Sequence, residues 1–241
     1  MAAGRRSRAV QGSQMELTLK GLPRATGAGR EHAPRAKNDF VHSRLSFTRL
    51  EIPEVEVFET AVAFPSETDP LTAHDALAAV FGKKAGFGHF LFRADSTAAG
   101  RYWVRSAEPW TRWPDGALNA LEPRRRVIQL AEGLMYHFSL AVCAGEELPS
   151  DTEKRVAPYE TAERVAEWFR AAAAESGIKP LLVNVAMSAL RFAHGGQRYR
   201  VPFAAIDGAL EVAHAERLRR RILKGFGYYR RTGLGMLELS Q

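Results

Sequence analysis

The clearest alternation in the chain falls at residues 55–64, where Val55, Val57, Glu59, Ala61 and Ala63 interleave with Glu56, Phe58, Thr60, Val62 and Phe64. A period of two with this β-branched and aromatic content predicts a strand. Asp69-Pro70 then opens a helix: Asp69 caps the first free amides, and Pro70 takes the first helical position, where its missing N–H costs nothing. The apolar face of that helix, Leu71, Leu77, Ala78 and Phe81, takes in His74 as well, and Gly82 ends it. Residues 89–93 read as an apolar strand and 101–106 as its antiparallel partner. The Trp, Pro and Gly density of residues 109–123 marks a connection between halves, after which 127–130 and 135–142 read as strands of a second unit.

Residues 162–176 form the best-marked helix, with Ala162, Val165, Ala166, Phe169 and Ala172 at helical spacing and Gly177 as the stop. Strands at 181–189 and 205–212 flank a Gly195-Gly196 turn, a short helix covers 215–224, and a last strand covers 236–239. Two successive runs of strand, helix and antiparallel strands predict an α+β protein with two tandem ferredoxin-like (RRM-like) domains. The expected organisation is a basic, loop-rich N-terminal extension (1–50), an N-terminal domain (51–122) and a C-terminal domain (123–241).

Composition narrows the class. With 241 residues there is chain enough for two compact cores. The single Cys143 excludes an intrachain disulfide framework, which fits a reducing cytosol, and core packing is its expected role. No run approaches the ~18 apolar residues of a membrane span, so the expectation is a soluble bacterial cytoplasmic protein that engages no membrane. An Arg-rich, acid-poor start also resembles an organellar transit peptide. The histidines show no metal-ligand spacing, and neither metal nor cofactor is expected.

Charge adds more, because it is unevenly placed. Residues 1–49 carry ten Lys/Arg against three acids, so the whole net charge of +7 resides there. A second cluster, Arg217 to Arg231, holds seven basic residues and no acid. Arginine dominates both, which favours planar recognition of phosphate, with a solvated helix face as the bland alternative.

The second cluster runs into the most specific segment of the chain, Lys224-Gly-Phe-Gly-Tyr-Tyr-Arg-Arg-Thr-Gly-Leu-Gly-Met-Leu-Glu-Leu239. Four glycines enclose Arg230 and Arg231, an arrangement that lets a backbone approach phosphates with its N–H groups exposed; a tight turn before a core strand is the plainer reading. The segment resembles the C-terminal glycine-rich loop of CRISPR repeat-processing endoribonucleases, especially their CasE branch. Asp69-Pro-Leu-Thr-Ala-His74 resembles the helix that carries that family's catalytic histidine. The sequence departs from the family pattern at Leu71, where many relatives have tyrosine, at Ala213-His214, where they often have Asp-Pro, and in its basic extension. The extension brings the processing subunit of type IV CRISPR complexes into consideration.

The resemblance implies metal-independent cleavage of a CRISPR repeat stem-loop RNA by attack of a 2′-hydroxyl on the adjacent phosphate, leaving 2′,3′-cyclic phosphate and 5′-hydroxyl ends. It also implies that the protein stays bound as one subunit of a multisubunit effector complex. On that basis His74 and Arg231 are the expected catalytic residues. Candidate RNA contacts are Arg24, Arg35, Arg124, Arg125, Arg126, Lys154, Arg155, Arg219, Arg220, Lys224 and Arg230. The rival reading is a non-catalytic RNA-binding or structural subunit, since Lys224-Gly-Phe-Gly-Tyr begins like the aromatic motif of RNA-recognition domains.

Overall fold

The structure, a computed structural model, describes residues 52–81, 90–110, 112–149 and 155–241. The N-terminal extension with Arg24 and Arg35, the turn containing Gly82, residue 89, Lys154 and the side chain of Arg155 lie outside the described residues.

Strand β1 (Glu54–Ala63) is followed by helix α1 (Pro70–Val80), β2 (Phe90–Ala94), β3 (Arg101–Ser106), the two-residue β4 (Asn119–Ala120) and β5 (Arg124–Gln129). These make one antiparallel sheet in the order β2-β3-β1, with β4 and β5 both on the far edge of β1. The strand at Arg124–Gln129 therefore corrects the sequence reading, which gave it to the second unit. It pairs with Glu54–Glu59 of the first sheet. Burial explains the choice, since Ile128 enters the same core as Val55 and Val57 of β1 and Arg126 meets the partly buried Glu59 across that pairing.

The second unit runs β6 (Met135–Val142), a small hairpin of β7 (Gly145–Leu148) and β8 (Arg155–Pro158), α2 (Ala162–Glu175), β9 (Ile178–His194), β10 (Gln197–Val212), α3 (Ala215–Lys224), a 3₁₀ turn (Arg230–Thr232) and β11 (Glu238–Ser240). Leaving the small hairpin aside, the order β6-α2-β9-β10-α3-β11 is the βαββαβ unit of a ferredoxin-like domain. Its sheet is ordered β11-β6-β10-β9, all antiparallel. β9 and β10 are much longer than the pattern predicts, and the Gly195-Gly196 turn is where they reverse.

Two main cores result. Phe138, Leu140, Phe169, Ile206, Leu218 and Ile222 bury the helices of the second unit on one face of its sheet. Val62, Phe64, Leu77, Phe92 and Val104 close a smaller core under α1. Because side chains alternate along a strand, β1 serves both cores: Val55 and Val57 enter the larger and Val62 the smaller. Cys143 is buried, and burial pushes its thiol up to about 11, so it packs as a small apolar residue.

Three arginines of the first sheet grip the last strand. Arg105, 1% exposed, donates to the Leu237 carbonyl at 2.5 Å and meets the Glu59 carboxylate at 2.7 Å. Arg126 bonds the same carboxylate at 3.0 Å and the Leu239 carbonyl at 2.5 Å, while Arg93 donates to Glu238 at 2.7 Å. These contacts fix the C-terminal segment against the sheet that supports α1. Among the described residues no helix is long and apolar enough to cross a membrane.

Candidate functional site

α1 begins as its sequence dictates. Asp69 accepts from the amides of Leu71 and Thr72 at 2.9 and 3.1 Å, and the Thr72 hydroxyl donates to its second oxygen at 2.6 Å. The second turn presents His74, whose ring lies beside two aromatic side chains of β2, 5.4 Å from the Phe90 centroid and 6.0 Å from that of Phe92. Its side chain is 18% exposed, so it is held in place and still reachable. His74 Nδ1 lies 3.0 Å from Asp75 Oδ1, and Arg231 Nη2 donates to that same oxygen at 2.9 Å. Burial would raise the Asp75 pKa, but the bonds to His74 and Arg231 hold it below the ordinary carboxylate range, so the group is ionised. The two residues expected to be catalytic, 157 positions apart in sequence, thus meet on one carboxylate.

The loop that delivers Arg231 is built as the tight turn, the plainer of the two readings its glycines allowed. Three of its amides hold it to itself and to the end of β6: Phe226 N–H donates to Gly235 O at 2.8 Å, Gly235 N–H to Ala141 O at 2.7 Å and Tyr228 N–H to Cys143 O at 2.9 Å. The glycines answer to packing. At Gly227 (φ 62°) a Cβ would sit 2.5 Å from Cys143 O, and at Gly235 (φ 91°) 2.3 Å from Phe226 O. The loop is therefore a clasp pressed on β6 and β2, and it leaves the Arg231 side chain outside, toward α1.

Basic side chains extend away from this point. Arg230 Nη1 donates to the Lys224 carbonyl at 2.6 Å, which joins the clasp to the end of α3. On α3, Arg217, Arg220, Arg221 and Lys224 recur at helical spacing and line a groove of about 410 Å³ with Glu175 and Ser176. Arg221 is partly buried; its Nε donates to Ser176 Oγ at 2.9 Å and its guanidinium covers the Phe226 ring. Burial lowers its pKa, Glu175 opposes that, and Arg230 adds repulsion in the same direction as burial. Arg220 and Lys224, two of the candidate contacts, thus line one groove. Arg219 points off the stripe and pairs with Glu216 at 3.7 Å. Arg217 and Arg221 belong to the basic cluster but not to the candidate contacts drawn from it, and a 3.6-residue count through the cluster places them on the same stripe.

The other candidate contacts divide. Arg124 is exposed, Arg125 is exposed but paired with Glu56 at 2.6 Å, and Arg126 is committed to Glu59 and the Leu239 carbonyl. Sequence reasoning also overlooked the tip of the β9–β10 hairpin. Arg200 lies opposite Arg191 and Arg198 opposite Ala193, so all three arginines share one exposed face. The reverse face carries the stacked Phe192 and Tyr199 rings and His194, whose Nδ1 lies 3.2 Å from Asp69 at the start of α1. The signal was present as Arg198-x-Arg200 mirrored by Arg191 about the Gly-Gly turn.

Two central rows on the open face of the second sheet are of small and polar residues: Asp207 pairs with Ser139 and Asn184, and Ala205 with Ala141 and Ala186. The stacking rings of an RNA-recognition sheet do not stand in those rows.

Known proteins share this architecture. A structure of CRISPR endoribonuclease Cse3 bound to a 19-nucleotide RNA superposes with a TM-score of 0.65 at 18% identity, over 77% of this chain and 100% of that one. The CRISPR-associated protein Cas6e from Escherichia coli K-12 does so with a TM-score of 0.58 at 16% identity, over 77% and 99%. A chain of a CRISPR RNA-guided surveillance complex gives 0.57 at 18%, over 76% and 98%. The likeness establishes the fold as the two ferredoxin-like domains expected. No curated protein sequence matches the chain. The family described as CRISPR associated protein matches residues 47–241, a stretch that opens just before β1 and takes in both His74 and Arg231, and the chain belongs to that family.

Proposed function

We propose that this protein is a metal-independent endoribonuclease that cleaves CRISPR repeat hairpin RNA and remains bound to the product as a subunit of an effector complex. One observation carries the reading: an imidazole and a guanidinium from opposite ends of the chain converge on Asp75 at the end of a run of basic side chains. The structural relatives bound to RNA or held in a surveillance complex support the same substrate and setting.

In this reading the RNA backbone follows Arg217, Arg220 and Lys224 toward Arg230, with the exposed hairpin arginines Arg191, Arg198 and Arg200 taking further phosphates. The scissile phosphate sits beside Arg231. His74 takes the proton of the 2′-hydroxyl as its oxygen bonds to phosphorus. The bond to the 5′ oxygen breaks, and that oxygen leaves with a proton from solvent. Arg231 neutralises charge on the phosphorane, a type of contribution that is usually large. The products are a 2′,3′-cyclic phosphate and a 5′-hydroxyl.

The test is incubation of the full chain with repeat hairpin RNA in EDTA, with the ends of any product mapped. Cleavage with cyclic phosphate ends is expected. Silence in EDTA with rescue by magnesium would overturn the metal-free reading. Tight binding without product under every condition would favour the non-catalytic subunit, a reading that Leu71 supports by offering no hydroxyl one turn before His74.

A further inference from the structure

We propose that Asp75 is the positioning residue of this site: its Oδ1, shared by His74 and Arg231, selects which imidazole nitrogen accepts the 2′-hydroxyl proton and holds the phosphate-neutralising guanidinium beside it. The inference rests on the ribonuclease reading and adds a residue to it.

The argument begins with what a carboxylate can do. An ionised carboxylate only accepts hydrogen bonds, so a neutral imidazole facing it at 3.0 Å must carry its proton on Nδ1. Nε2 is then the basic nitrogen, available to the 2′-hydroxyl. The rings of Phe90 and Phe92 on the other sides of the imidazole are carbon, so neither competes for Nδ1. Helical spacing does not explain the contact, because neighbouring residues of a helix do not face one another. Nor does stability: Asp75 is 59% exposed and Arg231 51%, and ion pairs so open to solvent contribute little. What the carboxylate does accomplish is to set two groups from distant segments at one spacing. Arg231 uses only one of its five N–H donors on Asp75 as drawn, which leaves others for phosphate oxygens. Asp75 touches neither substrate nor reacting atoms, and the transferred proton passes from the 2′-hydroxyl to His74 Nε2 without visiting it.

The test uses the full chain carrying Asp75→Ala, Asp75→Asn or Asp75→Glu, with two readouts. The first is the ¹⁵N spectrum of the His74 ring in RNA-free protein at a pH where the ring is neutral. The Nδ1–H tautomer is expected in the parent and a shift toward Nε2–H in Asp75→Ala. The second sets single-turnover cleavage against RNA affinity. The rate should fall about tenfold or more, a fraction of what a general base is worth, while Kd stays within about twofold, and Asp75→Glu should restore part of the rate. An unchanged tautomer in Asp75→Ala would overturn the proposal. So would tighter RNA binding at an unchanged rate, which would make Asp75 a stand-in for phosphate. A parent protein that fails to cleave would sink the ribonuclease reading, whereas the tautomer measurement decides the role of Asp75 regardless.

Discussion

Glu59→Gln should cost this protein more stability than any other single carboxylate change among the contacts described above. The Glu59 side chain is 24% exposed and meets Arg105, itself 1% exposed, at 2.7 Å and Arg126 at 3.0 Å. Gross attraction for one such pair is about 6 kcal/mol at an effective dielectric of ~20, most of it offset by the desolvation of both ions. Removing one partner of a buried pair costs about 3–5 kcal/mol, because the remaining charge stays buried and uncompensated. The partial exposure of Glu59 places this case near the lower end, about 3 kcal/mol. At about 2–4 °C per kcal/mol for a chain of this size, Tm should fall by about 6–12 °C. Thermal unfolding followed by circular dichroism measures this, with Glu56→Gln as the comparison. Glu56 pairs with Arg125 at a shorter 2.6 Å, but both are open to solvent, and its loss should not move Tm measurably. Burial raises the Glu59 pKa, but Arg105 and then Arg126 pull it below the ordinary carboxylate range. A folded value below the unfolded one means stability that is present above the usual carboxylate pKa and lost as pH falls through the depressed value. The Tm difference between parent and variant should therefore shrink in acid. Equal Tm values for Glu59→Gln and the parent at pH 7 would refute the reasoning.

His74→Ala should slow single-turnover cleavage by about 10²–10⁴-fold and leave RNA affinity nearly unchanged; an unchanged rate would move the chemistry elsewhere. On α3, Arg220→Ala with Lys224→Ala should weaken RNA binding and flatten the slope of log K against log salt by about 0.7–0.9 for each phosphate no longer neutralised, measured by fluorescence anisotropy. Arg219→Ala, on the face paired with Glu216, should do neither.

What was legible in the sequence was local. Asp69-Pro70 announced its helix because a cap and a fixed φ act within four residues, and the cap bonds are as the spacing requires. The α2 stripe was nearly as plain: Val165 and Phe169 are buried and Ala162, Ala166 and Ala172 half-buried beside them, with Ala173 completing the buried row. The extent of β9 and β10 was not, because Asn184, Ala186, Ser188, Ala205 and Asp207 interrupt their open face where a strand signal wants Val, Ile or an aromatic. The partner of β5 was illegible for a different reason. Arg124-Arg125-Arg126 looks like a free basic patch in sequence, and only the pairing with β1 reveals that Glu56 and Glu59 claim two of the three. The glycine-rich loop stayed ambiguous for the same reason, because glycine serves a phosphate cradle and a crowded turn equally well until the partners of its amides are known.

The arginines explain why site and fold cannot be separated here. Arg93, Arg105 and Arg126 spend their donors on Glu238, Leu237, Leu239 and Glu59, which seats β11 on the sheet supporting α1. Arg231 lies seven residues before that strand and His74 lies on α1, so the clamp brings the two carriers of the proposed catalytic pair within reach of each other. Asp75, in the role proposed for it, then sets the final spacing of the two side chains through one shared oxygen. Two groups that must act on one phosphate within a few tenths of an ångström need a rigid connection between their carriers, and the buried Arg105 guanidinium supplies it at the cost of burying a charge. A loosened clamp should consequently impair cleavage at temperatures where the protein is still folded.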